Sequence, residues 1–260
     1  MPPIALTIAG SDASGGAGIQ ADLKTFHQFG VYGEAVITLI TVQNSVRLSR
    51  VEALDPGLVL EQLEAVLEDM PPAAAKTGTL GSVAVAEAVS RAAARFGFPL
   101  VVDPVMVGSQ GLPLLAEGAM RVVRRLLLPV AALVTPNVPE AAMLSGVAIH
   151  SLDDMCRAAV RLHEMGARAV LIKGGHLEGD AIDLLSDAAG FRQFPAPRIA
   201  TRHTHGTGCT YSAAITACLA GGLPMGDAVA KAKRFIHEAI RTAPGLGSGA
   251  GPLNHHAEIR

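Results

Sequence analysis

The stretch HGTGCT, residues 205–210, sets a Gly-Thr-Gly turn directly before an Ala-rich helical pattern. Gly206 and Gly208 let the backbone fold tightly, so the N–H groups of Gly206, Thr207, Gly208 and Cys209 can point into one concavity at a helix N-terminus. Free donors and the helix dipole make such a spot favourable for phosphate. A lone Gly-Thr-Gly is more often an ordinary strand-to-helix turn, so this motif needs company. Cys209 places a thiol at the end of the turn.

The company stands elsewhere in the chain. GSDASGGAGIQAD, residues 10–22, has three glycines near a helix start. It lacks the Gly-Lys-Ser/Thr of a P-loop and the glycine spacing of the dinucleotide fingerprint. It allows a flat molecule or a phosphate to approach the backbone. TPNVPE places Asn137 and Glu140 near another helix start, where they could hold water around Mg²⁺, an ion that keeps several waters. Glu140 also suits the first turn of a helix without any metal. Asp103 ends the apolar run PLVVD, and Lys173 ends LIKGG, from where it could reach a phosphate as a point charge. Cys156 and Cys218 fall on apolar helical faces and read as core. An anion-binding turn, a metal-type carboxylate pair and a lysine on one sheet edge describe phosphoryl transfer.

Those residues need a frame. Short apolar runs at 4–10, 34–41, 73–78, 99–105, 131–137 and 169–175 read as strands. Helical patterns at 18–30, 56–70, 82–97, 116–129, 151–166, 208–220 and 225–243 alternate with them, and 181–187 with 190–196 reads as a hairpin at a sheet edge. Ser151 and Asp154 fit a capping box. Strands without polar alternation, separated by helices, imply a parallel sheet covered on both faces. One doubly wound α/β domain over residues 1–260 accounts for the chain. Ligands of such sheets bind beyond the carboxyl ends of the strands, where the polar and glycine-rich segments fall, DPVMVGSQG among them.

Composition narrows the partners. The chain has 260 residues, a formal net charge of −2, 50% hydrophobic and 17% charged residues. That balance leaves no electrostatic footprint for nucleic acid or an anionic membrane. No apolar run reaches the ~20 residues of a membrane helix. The N-terminus reads as a first strand rather than a signal peptide. Three cysteines without close pairs fit a reducing, cytoplasmic setting.

AGSDASGGAGIQADLKTF (9–26), VQNS (42–45), TPNVPEA (135–141), KGGH (173–176), THGTGCT (204–210) and GPLNHH (251–256) together resemble the hydroxymethylpyrimidine/phosphomethylpyrimidine kinases of thiamine biosynthesis. That family lies in the ribokinase-like superfamily, and the match runs over nearly the whole chain. The resemblance implies a three-layer α/β/α fold with a mostly parallel sheet and no separate lid domain. It implies ATP- and Mg²⁺-dependent phosphorylation of 4-amino-5-hydroxymethyl-2-methylpyrimidine, first to the monophosphate and then to the diphosphate. By similarity Gln43 hydrogen-bonds the pyrimidine, with Gly10, Ala17, Asp22, Thr79 and Val105 around it. Asn137, Thr204, Gly206, Gly208 and Lys173 serve ATP, and Asp103 and Glu140 the metal. Cys209 and Lys173 act with residues 206–208 in catalysis.

The family usually has Met where this chain has Thr79, which puts the apolar wall there in question. A thiol at a helix N-terminus, near bound cations, is expected to have a lowered pKa. As thiolate, Cys209 would take the acceptor hydroxyl's proton. The resemblance also implies a homodimer. The alternatives are a pyridoxal- or pyridoxine-type kinase and a catalytically silent pyrimidine sensor.

Overall fold

The computed structural model describes residues 1–108, 114, 116 and 118–259. Its described strands are β1 (Ile4–Asp12), β2 (Tyr32–Gln43), β3 (Leu48–Ala53), β4 (Ala74–Thr77), β5 (Leu100–Val102), β6 (Leu133–Val134), β7 (Val170–Ile172), β8 (Asp183–Asp187) and β9 (Gly190–Phe194). They form one sheet in the order β3-β2-β1-β4-β5-β6-β7-β8-β9. The six strands from β2 to β7 in that order run parallel; β3 at one edge, and β8 and β9 at the other, pair antiparallel. The expected hairpin is therefore β8–β9, at the sheet edge.

Helices cover both faces. One face carries α2 (Pro56–Asp69), α3 (Val83–Ala93), α4 (Ala119–Val122), α5 (Val138–Ser145) and α6 (Leu152–Glu164), whose Leu63, Val85, Val122, Val138 and Met155 share a core with Ile8 and Val102. The other carries α1 (Gly18–Gln28), α7 (Thr207–Ala220) and α8 (Met225–Arg241), packed through Phe26, Ile215 and Phe235 against Ala5, Val101 and Leu171. Buried central strands explain the unbroken apolar runs of the sequence. The three-layer α/β/α architecture is that of the ribokinase-like fold.

Several boundaries depart from expectation. The strands at 99–105, 131–137 and 169–175 shrink to two or three paired residues. Asp103 thus stands just beyond the ladder, and Asn137 and Lys173 meet past it in an isolated parallel bridge. β3, which no expectation covered, pairs with β2. The helix expected over 116–129 is α-helical only at Ala119–Val122, then a π turn (Val123–Leu127) and a 3-10 turn (Leu128–Val130). Pro129 lacks the N–H needed to continue an α-helix and crowds the carbonyl four residues back. Residue 117 of that stretch, and residues 109–111 of DPVMVGSQG, lie outside the described residues. Ser151 caps α6 by accepting from the Asp154 N–H, but Asp154 answers to the His150 N–H and the Ser151 hydroxyl, so the expected box closes one residue early.

Candidate active site

The carboxyl ends of the parallel strands open into a cavity of ≈ 770 Å³. Two glycine-rich segments meet at its floor. The first follows β1. Asp12, at the strand's end, accepts from the N–H groups of Ser14 (2.8 Å), Gly16 (3.2 Å) and Ala17 (2.8 Å), which folds residues 12–17 into a compact loop before α1. The second is the turn before α7. Gly206 is its N-cap with φ of +80°, and a Cβ there would lie 1.8 Å from the Gly16 carbonyl oxygen. Only glycine allows both that backbone and that approach. Among the four N–H groups expected to face an anion, Thr207 turns back to the Thr204 carbonyl at 3.2 Å. Gly208 and Cys209 lie in the first helical turn, where the N–H groups have no intrahelical acceptor.

Charge gathers next to this turn. Lys173 Nζ lies 3.1 Å from Asp103 Oδ1; the Asp103 side chain is 1% exposed and that of Lys173 13%, so the pair is largely buried. Thr135 and Ser212 hydroxyls also donate to Asp103. A Cβ on Gly208 would come 3.2 Å from Lys173 Nζ, so the lysine reaches the phosphate-type turn itself. Burial opposes the Lys173 charge, but Asp103 and Glu140 outweigh it and raise its pKa. Lys173 is therefore a buried cation, not the surface lysine its place after a strand allowed.

Asn137 and Glu140 form a reciprocal capping box on α5. Asn137 accepts from the Glu140 N–H at 2.9 Å, and Glu140 Oε2 accepts from the Asn137 N–H at 2.8 Å. Burial pushes the Glu140 carboxyl up to about 7 against the pull of Lys173. Both residues line the cavity as well, so the structural and chemical readings hold together. Among the described residues no three acid, histidine or cysteine side chains come together as a metal cage. Two carboxylates without a third ligand suit Mg²⁺, which keeps much of its water and takes further ligands from phosphates.

The opposite wall is apolar and flat. Gln43 ends β2 and lines the cavity beside Gly10, Ala17, Leu39 and Val105. The β1–β2 register slips between Ala9 and Ser11, and the β2–β3 register slips between Val42 and Gln43. Such irregularities re-aim the backbone next to a site; here they fall on Gly10 and Gln43. Thr79 sits in this wall, with its hydroxyl donating to the Leu114 carbonyl at 3.1 Å. A Cβ on Gly10 would be 2.9 Å from the Thr79 methyl carbon. The hydroxyl is satisfied by backbone and the methyl faces Gly10, so the wall stays apolar despite the threonine.

Two expectations change. Asp22 does not line the cavity. It is fully buried one layer behind, held by Lys76 Nζ at 2.7 Å and the Thr7 hydroxyl at 2.6 Å. Cys209 does line the cavity, but its thiol is not acidified. Burial pushes it up to about 12, with Asp22 and Asp103 adding to the effect, and Lys76 and the Gly18 N–H only partly compensate. Burial above all, aided by the two carboxylates, outweighs the helix terminus.

Other contributors escaped the sequence. Lys76 is fully buried in β4 beneath the thiol and keeps its charge through Asp22. The signal was a lone lysine in AAAKTG. His205 and Asp12 pair at 2.8 Å. Pro197, Ile199, Ile236 and Ile240 add an apolar stretch to the cavity lining.

The chain is similar to known vitamin kinases in sequence and in fold. A family model for phosphomethylpyrimidine kinase matches residues 12–254. The thiamine biosynthesis bifunctional protein ThiED of Geobacter sulfurreducens is 49% identical over 255 residues; the match takes in 96% of this chain and 51% of that protein, so the chain spans about half its length. The hydroxymethylpyrimidine/phosphomethylpyrimidine kinase of Bacillus subtilis is 46% identical over 256 residues, covering 97% of this chain and 94% of that protein. Among solved structures, an ADP complex of Bacillus subtilis pyridoxal kinase superposes with a TM-score of 0.91 at 38% identity, over 99% of this chain and 98% of that one. A phosphomethylpyrimidine kinase from Clostridium difficile gives 0.82 at 43% identity, over 92% of this chain and 99% of that one.

Proposed function

This chain belongs to the phosphomethylpyrimidine kinase family, and from that premise we propose that it phosphorylates 4-amino-5-hydroxymethyl-2-methylpyrimidine with ATP, and then the resulting monophosphate. The observation that carries the proposal is the meeting of the two glycine loops beside the buried Lys173–Asp103 pair, with Gln43 on the wall of the same cavity. Gln43 offers one donor and one acceptor, the pattern an aminopyrimidine edge requires. Gly10 and the Thr79 methyl give the ring a flat apolar bed.

The chain's own residues then bind, orient and exclude water. The N–H groups of Gly208 and Cys209 and the Lys173 ammonium receive phosphate oxygens. Asp103 and Glu140 would hold a hydrated Mg²⁺, which when bound supplies positive charge to the phosphates. The apolar stretch near Ile236 and Ile240 takes the adenine. Cys209 is placed to receive the acceptor hydroxyl's proton at Sγ, but only once the bound cation favours the thiolate, since the thiol holds its proton otherwise. A homodimer belongs to the same reading: Ile40 and Val42 are exposed on one face of β2 and offer an apolar patch to a second copy. No helix among the described residues is long and apolar enough to cross a membrane, and three free cysteines fit the cytoplasm.

The likeness to pyridoxal kinase keeps one second reading, a vitamin B6 kinase that also phosphorylates a hydroxymethyl group on a nitrogen ring. Steady-state assays with ATP and either the pyrimidine or pyridoxal decide between them. The proposal expects kcat/KM for the pyrimidine to exceed that for pyridoxal by ten-fold or more, the ~1.4 kcal/mol that a matched hydrogen-bond pair contributes. A preference for pyridoxal, or no turnover of the pyrimidine, overturns it.

A further inference from the structure

The two glycine loops come from opposite ends of the sequence, and a buried side-chain bond joins them beside the Gly206–Gly16 backbone contact. His205 Nε2 lies 2.8 Å from Asp12 Oδ2, across 193 residues of chain. Asp12 is 1% exposed and His205 4%. The Asp12 carboxylate also accepts from the N–H groups of Ser14, Gly16 and Ala17 and from the Ser14 hydroxyl. Burial opposes its charge, yet the hydrogen bonds from His205 and Ser14 hold the carboxyl below its usual range. An ionised carboxylate only accepts, so Nε2 must carry the hydrogen.

Everything on the far side of this bond belongs to the phosphate turn. His205 directly precedes Gly206, its ring packs where a Gly16 Cβ would stand, and its N–H donates to the Gly251 carbonyl at 3.1 Å. Everything on the near side belongs to the acceptor loop, whose Ala17 lines the cavity. Gly206, one residue on, touches the Gly16 carbonyl so closely that no side chain fits. The distance from the ring bed to the phosphate-binding N–H groups is therefore set by this side-chain bridge together with the Gly206–Gly16 backbone contact and the packing of α7 on α1 and β1.

We propose that the Asp12–His205 pair is a positioning strut that sets the phosphate turn at in-line distance from the acceptor, so that its loss lowers turnover without weakening acceptor binding. The inference rests on the kinase reading above. A reacting pair displaced by about 1 Å loses on the order of a hundredfold in rate, because alignment is what such a site supplies. The acceptor's own contacts, at Gln43 and Gly10, lie on β2 and β1 and do not pass through the bridge.

Three variants test it. Gln at 205 can place an amide N–H near the Nε2 position, Asn is too short to do so, and Leu keeps the bulk without a donor. His205→Leu and His205→Asn should lower kcat roughly 10- to 100-fold with both the alcohol and the monophosphate acceptors. KM for each acceptor should stay within about threefold, and His205→Gln should recover most of kcat. Calorimetric binding of the pyrimidine to each variant, without nucleotide, verifies that the site is folded. If His205→Leu does not fold, the Asn-against-Gln comparison carries the test. Unchanged kcat in His205→Asn, or KM rising as steeply as kcat falls, overturns the strut. Failure of the wild type to phosphorylate the pyrimidine overturns the kinase reading instead, and the two failures are separable.

Discussion

Cys209 shows how far a residue's neighbours can reverse its local context. A helix N-terminus lowers a thiol's pKa, but burial and the Asp22 and Asp103 carboxylates raise this one to about 12. Between pH 7 and 9 the thiolate is thus a small fraction that grows about tenfold per pH unit. Single-turnover phosphorylation of the alcohol should therefore speed up across that range. The monophosphate is largely ionised above its second pKa of about 6 and needs no base, so its rate should be nearly flat. Cys209→Ala should remove the slope from the first profile and leave the second unchanged. Equal rate losses with the alcohol and the monophosphate in Cys209→Ala would end the proton-acceptor role. Gly206, Cys209 and Lys173 were legible in the sequence because glycine, thiol and amine at the break between strand and helix have few structural reasons to be there. Lys76 and His205 were not, because the partners that give them meaning, Asp22 and Asp12, are 54 and 193 residues away.

Elements carry roles of their own, and α5 carries two at once. Glu140 closes the capping box with Asn137 and presents its carboxyl to the cavity. Glutamine can also close such a box, so Glu140→Gln separates the two roles. Thermal denaturation should show a Tm within about 2 °C of wild type, since a cap is worth only ~1 kcal/mol and is retained. The Mg²⁺ concentration for half-maximal activity should rise several-fold. An unchanged Mg²⁺ dependence removes Glu140 from the metal's surroundings. The elements themselves were mostly readable from period and punctuation. What misled was length: runs such as PLVVDPV continue apolar past the last paired residue, because Val105 lines the cavity wall rather than a ladder. β3 was hidden for the opposite reason, since an edge strand with Ser49, Arg50 and Glu52 exposed has no buried face to imprint a pattern.

The fold as a whole also contains a cost that is remote from the chemistry. Glu34 on β2 is 6% exposed, and neither carboxylate oxygen has a hydrogen-bond partner among the described residues. Burial, with Asp69 nearby, raises its carboxyl from 4.5 to about 7. A carboxyl with a raised folded-state pKa binds its proton more tightly in the native protein. Stability therefore falls as pH rises from about 4.5 to about 7, and the loss persists above that. Glu34→Gln should raise Tm by a few degrees at pH 8 and change it little at pH 4.5. Equal shifts at both pH values would mean that the charge is not the cause. Sheet order lay outside what the sequence could convey: parallel strands were expected, but nothing local says that β1 sits between β2 and β4, since that is decided by packing across long separations.

The strut joining the chain's two distant loops has a consequence for how the molecule is made. All nine described strands lie before Phe194, while the phosphate turn, α7 and α8 follow it. A chain emerging from the ribosome as far as Phe194 has every strand of its sheet, but one face is covered by α1 alone. Val101 and Leu171, which α7 and α8 later bury, are then open to water and to other chains. Catalytic competence cannot accumulate gradually along synthesis; it waits for the segments after Phe194, and until they arrive the face that α7 and α8 cover stays open.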